Sequence, residues 1–119
     1  MTIPSPFKFE VDPNGVPANS KGSKLDAGKS PIWRGLLDYF PRSCSAIADV
    51  SLVGANKYTW KGWESVPDGY ARYSDALVRH ITAEAIEGEV DSDTGKLHAA
   101  QAAWNAMARL ELLLREKEK

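Results

Sequence analysis

The chain has 119 residues, of which 43% are hydrophobic and 26% charged, enough for one domain with a modest core and too apolar for wholesale disorder. A net charge of −1 lacks the basic excess of a nucleic-acid binder, and no apolar run reaches membrane-spanning length, so neither nucleic acid nor membrane is expected as a partner. The single cysteine, Cys44, excludes an internal disulfide and a cysteine-built zinc site; with no signal-peptide core near the N-terminus, it points to a cytoplasmic protein.

Residues 1–23 carry Pro4, Pro6, Pro13 and Pro17 and read as an extended N-terminal arm. Within it Phe7 and Phe9 alternate with Lys8 and Glu10, which suggests a short strand-like piece. Residues 24–119 read as a single helical domain. Its first segment, Lys24 to Pro31, is a loop whose lysines, Gly28 and Ser30 suit either a phosphate cradle or a solvated basic loop; the Walker A spacing is absent. From Trp33 to Tyr58 the pattern is helical and broken at Pro41, with Ser43 or Ser45 as the next cap and Gly54 and Asn56 suited to the helix end. Ile47, Val50 and Val53 or Gly54 supply its apolar face. After it, Tyr58, Trp60 and Trp63 alternate with Lys57 and Lys61. These rings either stack on a nucleobase, with a lysine on its phosphates, or close one end of a small core.

Val66-Pro67-Asp68-Gly69 is a turn, and Asp68 can cap a helix that begins near Tyr70 and stops at Gly88. Tyr73, Leu77, Ile81 and Ala85 form its expected apolar stripe. Arg72, Asp75 and Arg79 share one face, as a polyphosphate clamp or as a surface ladder. His80, Glu84 and Glu87 make a second ladder beside it. The turn Gly88–Gly95 holds Glu89, Asp91 and Asp93, and Asp93 or Thr94 can cap the last helix, expected from Gly95–Leu97 to about Lys117. Ala99, Ala102, Ala103 and Ala106 allow close helix approach there, and Trp104, Leu110, Leu112, Leu113 and Leu114 supply burial. His98, Gln101 and Asn105 recur at i, i+3, i+7 and draw a polar stripe along this Ala/Leu-rich helix. The sum is an all-α fold of three to four helices with an extended N-terminal arm. So few helices bury little surface alone, so the bundle is expected to be completed by homo-oligomerisation.

Carboxylates on adjoining helices and a turn are what Mg²⁺ or Mn²⁺ requires, and Glu84, Glu87, Glu89, Asp91 and Asp93 are the candidates. His80 and His98 suit a ligand, a general base or a hydrogen-bond partner.

The ordered set K-x-D-x-G-K at 24–29, G-A-x-K-Y at 54–58, Trp63, R-Y-x-D-A-L-x-R-H at 72–80, G-E-x-D-x-D-x-G at 88–95 and the Leu97–Asn105 segment resembles the phage-type dATP/dGTP diphosphohydrolase N-terminal family, over about residues 21–114. The resemblance implies a metal-dependent enzyme that cleaves purine deoxynucleoside triphosphates to monophosphate and pyrophosphate, in a host cytoplasm if the protein is viral. It also implies kinship with the all-α MazG-like pyrophosphohydrolases, which use carboxylate-bound Mg²⁺ at an oligomer interface. On that basis Glu84, Glu89, Asp91 and His98 are the expected catalytic residues. Lys24, Asp26, Lys29, Lys57, Tyr58, Trp63, Arg72, Tyr73, Arg79, His80 and Asn105 are expected to bind the nucleotide. The chain departs from the family pattern at Gln101, where a second histidine is common, and at Ser45 and Ala46, where an acid is common. The MazG-type E-E-x-x-E and E-x-x-D motifs are absent. The alternative reading is a phage protein that binds and sequesters a nucleotide without cleaving it.

Overall fold

The structure, a computed structural model, describes residues 10–119; the strand-like piece expected around Phe7 and Phe9 lies outside them. The chain falls into two compact units that divide after Tyr39. Asp12 is buried and accepts the backbone N–H groups of Asn14 at 2.7 Å and Lys24 at 2.8 Å, while Ala27 N–H donates to Val11 O at 2.9 Å. Residues on both sides of position 23 are thereby tied into one unit. This unit ends in a π-helical turn, Trp33–Leu37.

The second unit holds three α-helices: α1 Pro41–Lys57, α2 Gly69–Glu87 and α3 His98–Glu118. A 3-10 turn, Gly62–Ser65, lies between the first two. No strand occurs among the described residues; one antiparallel bridge joins Val90 and Leu97. The fold is all-helical, as expected. Pro41 itself opens α1, where its missing N–H would have been an orphan anyway, so Ser43 and Ser45 lie inside the helix rather than capping it. Gly54 and Asn56 also lie inside, and Tyr58 N–H closes the helix on Gly54 O at 2.9 Å. Asp68 and Leu97 occupy the N-cap positions of α2 and α3, neither with a side-chain cap hydrogen bond; Asp93 and Thr94 serve the preceding turn instead. Gly88 does end α2, at φ 105° and ψ −171°.

Helix α3 is the centre: α2 packs along it and α1 packs on it more lightly. Small side chains make that approach close, with Ala102 and Ala108 buried. One end is filled by Trp63, Tyr73 and Trp104, set edge-to-face with centroids 5.6–6.2 Å apart. Tyr73 O–H donates to Trp63 O at 2.8 Å, and Trp104 Nε1–H to Ser51 Oγ at 2.9 Å. The expected α2 stripe splits. Tyr73 and Leu77 are half-buried, whereas Ile81 is 56% exposed and Ala85 exposed. A row of i+4 steps drifts by about 40° per step around a helix, so this one leaves the α3-facing side after Leu77. Leu110, expected to be buried, is half exposed.

Candidate functional site

The polar stripe of α3 faces inward. His98, Gln101 and Asn105 are all buried, in a helix pair whose other interior positions are alanine, leucine and aromatic. The backbone of the 88–97 turn brings the acids of the sequence to them. His98 N–H donates to Glu89 O at 2.9 Å, Asp91 N–H to Lys96 O at 2.8 Å and Gly95 N–H to Asp91 O at 2.8 Å. This folds the turn back over the first residues of α3.

Four side chains then converge. His98 Nε2 lies 2.5 Å from Glu87 Oε1, and His98 Nδ1 lies 3.0 Å from Nδ1 of His80 on α2. His80 Nδ1 is 4.0 Å from Asp91 Oδ2. An ionised carboxylate only accepts, so Glu87 fixes the proton of a neutral His98 on Nε2 and leaves the Nδ1 lone pair facing His80. Asp91 is itself oriented: Asp93 N–H donates to its Oδ1 at 2.9 Å and Gln101 Nε2–H to its Oδ2 at 3.2 Å. Gln101 is oriented in turn, because its Oε1 accepts the Thr94 hydroxyl at 3.2 Å. Asn105 donates to Gln101 O at 2.8 Å, within its own helix. No buried side-chain polar atom among the described residues lacks a partner.

The environment sets the protonation of these groups. Burial pushes the His80 imidazolium toward its neutral form, and the neighbouring His98 pushes the same way, against the opposing pull of Asp91. Burial pushes the Asp91 carboxyl up, but the Asp93 N–H, the Gln101 amide and the neighbouring His98 and His80 together outweigh it and hold its pKa below the usual value. At neutral pH the site therefore presents an unprotonated imidazole beside a carboxylate.

His80, Asp91 and His98 are the His, Cys, Asp or Glu side chains whose donor atoms gather within 4.8 Å among the described residues. The other suggested acids are placed differently. Glu87 sits on the far nitrogen of His98. Asp93 pairs with Lys57 at 3.4 Å on the surface. Glu84 and Glu89 are exposed. Two imidazoles and one carboxylate are not the all-oxygen shell that Mg²⁺ prefers, so this cluster by itself does not have the donor set of a resident Mg²⁺.

Of the expected nucleotide-binding residues, His80 and Asn105 belong to this cluster or adjoin it through Gln101. Arg72 and Arg79 are exposed on α2, Arg72 with a hydrogen bond to Pro67 O at 3.3 Å. Tyr58 is exposed, whereas Trp63 and Tyr73 face each other and Trp104. Lys24, Asp26 and Lys29 lie in the first unit, where Asp26, Lys29, Ser30, Pro31 and Arg34 line a shallow concavity. The i+3 spacing from His98 points to Gln101 in the sequence, but its bond to Asp91 and the Thr94 hydroxyl behind it depend on how the turn folds back.

The family model described as dATP/dGTP diphosphohydrolase, N-terminal, matches residues 19–119. No curated protein and no solved structure gives a significant match.

Proposed function

We propose, from the premise that this chain belongs to the dATP/dGTP diphosphohydrolase N-terminal family, that it hydrolyses purine deoxynucleoside triphosphates to the monophosphate and pyrophosphate. The observation that carries this reading is the hydrogen-bonded His80–His98–Glu87 chain, centred on the buried His98, with Asp91 beside it, inside the matched region. Two groups held unprotonated at neutral pH suit the binding and deprotonation of an attacking water. In that step the water oxygen bonds to the α-phosphorus, and the bond from that phosphorus to the bridging oxygen breaks. Arg72, Arg79 and Lys57 are the cations of this unit that would neutralise the triphosphate. A divalent cation belongs to the same proposal as the cofactor.

Homo-oligomerisation belongs to the same proposal. No large side chain is fully buried among the described residues. Helix α2 carries Val78, Ile81 and Ile86 on the side turned away from α3, with Ile86 81% exposed. A helix apolar on two opposite sides has a second packing surface.

Incubation with dATP and dGTP should yield monophosphate and pyrophosphate, resolved by ion exchange. Nucleotide recovered intact but bound would replace hydrolysis with sequestration. Asp91→Asn should lower kcat/KM by about 10²-fold or more. Glu84→Gln should leave it within a few-fold, because the Glu84 carboxylate makes no hydrogen bond or ion pair among the described residues.

A further inference from the structure

We infer that His80, Asp91 and His98 form a binding site for a first-row transition-metal ion such as Zn²⁺, with His80 Nδ1, His98 Nδ1 and a carboxylate oxygen of Asp91 as ligands. The inference stands on the geometry of these side chains and is independent of the hydrolytic reading.

The distances come first. Nitrogen and oxygen ligands lie about 2.0–2.2 Å from such an ion, so two ligands of one ion are at most about 4.2 Å apart. The 3.0 Å between the two Nδ1 atoms and the 4.0 Å from His80 Nδ1 to Asp91 Oδ2 fall within that limit. All three donors lie within 4.8 Å of one another, so a shift of well under 1 Å closes the set.

The hydrogen bonds around the cluster point the same way. Metal-bound histidines characteristically give their other N–H to a carboxylate, which fixes the tautomer and aims the lone pair. Glu87 does this to His98 across 2.5 Å. The Gln101 amide and the Asp93 N–H do the corresponding work on Asp91.

Burial separates the protein side from the open side. The His98 side chain is 3% exposed, that of Asp91 13% and that of His80 22%. Solvent therefore reaches the set chiefly along His80, and an open coordination position would lie on that side. Imidazole suits Zn, Fe, Ni and Cu, whereas Mg²⁺ selects oxygen. A bound ion would lower the pKa of a water in the open position.

The test is a titration of chelator-stripped protein with Co²⁺, read by its visible ligand-field absorption, and with Zn²⁺, read by calorimetry. One equivalent per chain is expected, undiminished by excess Mg²⁺. His80→Ala and Asp91→Asn should weaken binding by at least about 100-fold, and Glu87→Gln by about 10–100-fold. Circular dichroism should show each variant folded. Asp49→Asn, exposed on α1 and outside the site, should bind as the wild type does. The inference is overturned if folded wild-type protein takes up neither ion, or if folded His80→Ala binds with unchanged affinity. Because the readout is metal uptake, failure here leaves nucleotide hydrolysis to be judged separately, and the reverse also holds.

Discussion

At the scale of single residues, hydrogen bonds hold a buried carboxylate in its ionised state. Asp12 is the clearest case. The backbone N–H groups of Lys24 and Asn14 keep its carboxyl below the usual range. A carboxylate whose folded pKa lies below its unfolded value of about 3.9 stabilises the fold above that value and loses the contribution as pH falls through the folded one. Melting temperature should therefore drop on acidification below about pH 4. Asp12→Asn should flatten that part of the profile while lowering stability at neutral pH. In the second unit, Gln101→Leu removes one of the two donors on Asp91 and leaves the Thr94 hydroxyl without its acceptor. A fall in kcat of about 10-fold is expected, with the fold intact by circular dichroism. A variant with wild-type kcat would deny Gln101 its positioning role.

Elements, in turn, decide where those residues point. The turn between α2 and α3 works because Gly88 adopts a backbone conformation essentially reserved for glycine. Gly88→Ala should cost about 1–3 kcal/mol by chemical denaturation. It should also disturb the cluster, since Glu87 and Glu89 flank the position. Tyr73→Phe, which loses the bond to Trp63 O, should cost about 0.5–1.5 kcal/mol and leave the cluster untouched. The helices and their order were legible in the sequence because Pro41, Gly88 and the 98/101/105 spacing are local signals. Which side of α2 faces α3 was not. Tyr73, Leu77, Ile81 and Ala85 read as one stripe in a list of i+4 steps, and only packing against α3 shows where the row turns away. Glu87 was legible as an acid near the site. Its attachment to His98, eleven residues along the chain, depends on how the turn folds back.

On the scale of the whole molecule, the proposed homo-oligomer rests on the exposed Val78, Ile81 and Ile86 of α2 and on the lack of any fully buried large side chain among the described residues. Light scattering should give a mass that is a multiple of 13.1 kDa. Ile81→Glu combined with Ile86→Glu should lower that mass and the melting temperature together; a wild type that runs as a stable monomer would contradict the oligomer. No helix among the described residues is long and apolar enough to cross a membrane. Nothing in the composition anticipated that the chain divides after Tyr39, because the bonds made by Asp12 and Val11 that create the division join residues 12–16 positions apart. The measurement that tests the account most directly is hydrolysis of dATP and dGTP by wild-type protein beside Asp91→Asn. The account predicts monophosphate and pyrophosphate from the wild type and at least a 10²-fold loss in the variant. Intact nucleotide from the wild type, or equal rates from the two proteins, would contradict it.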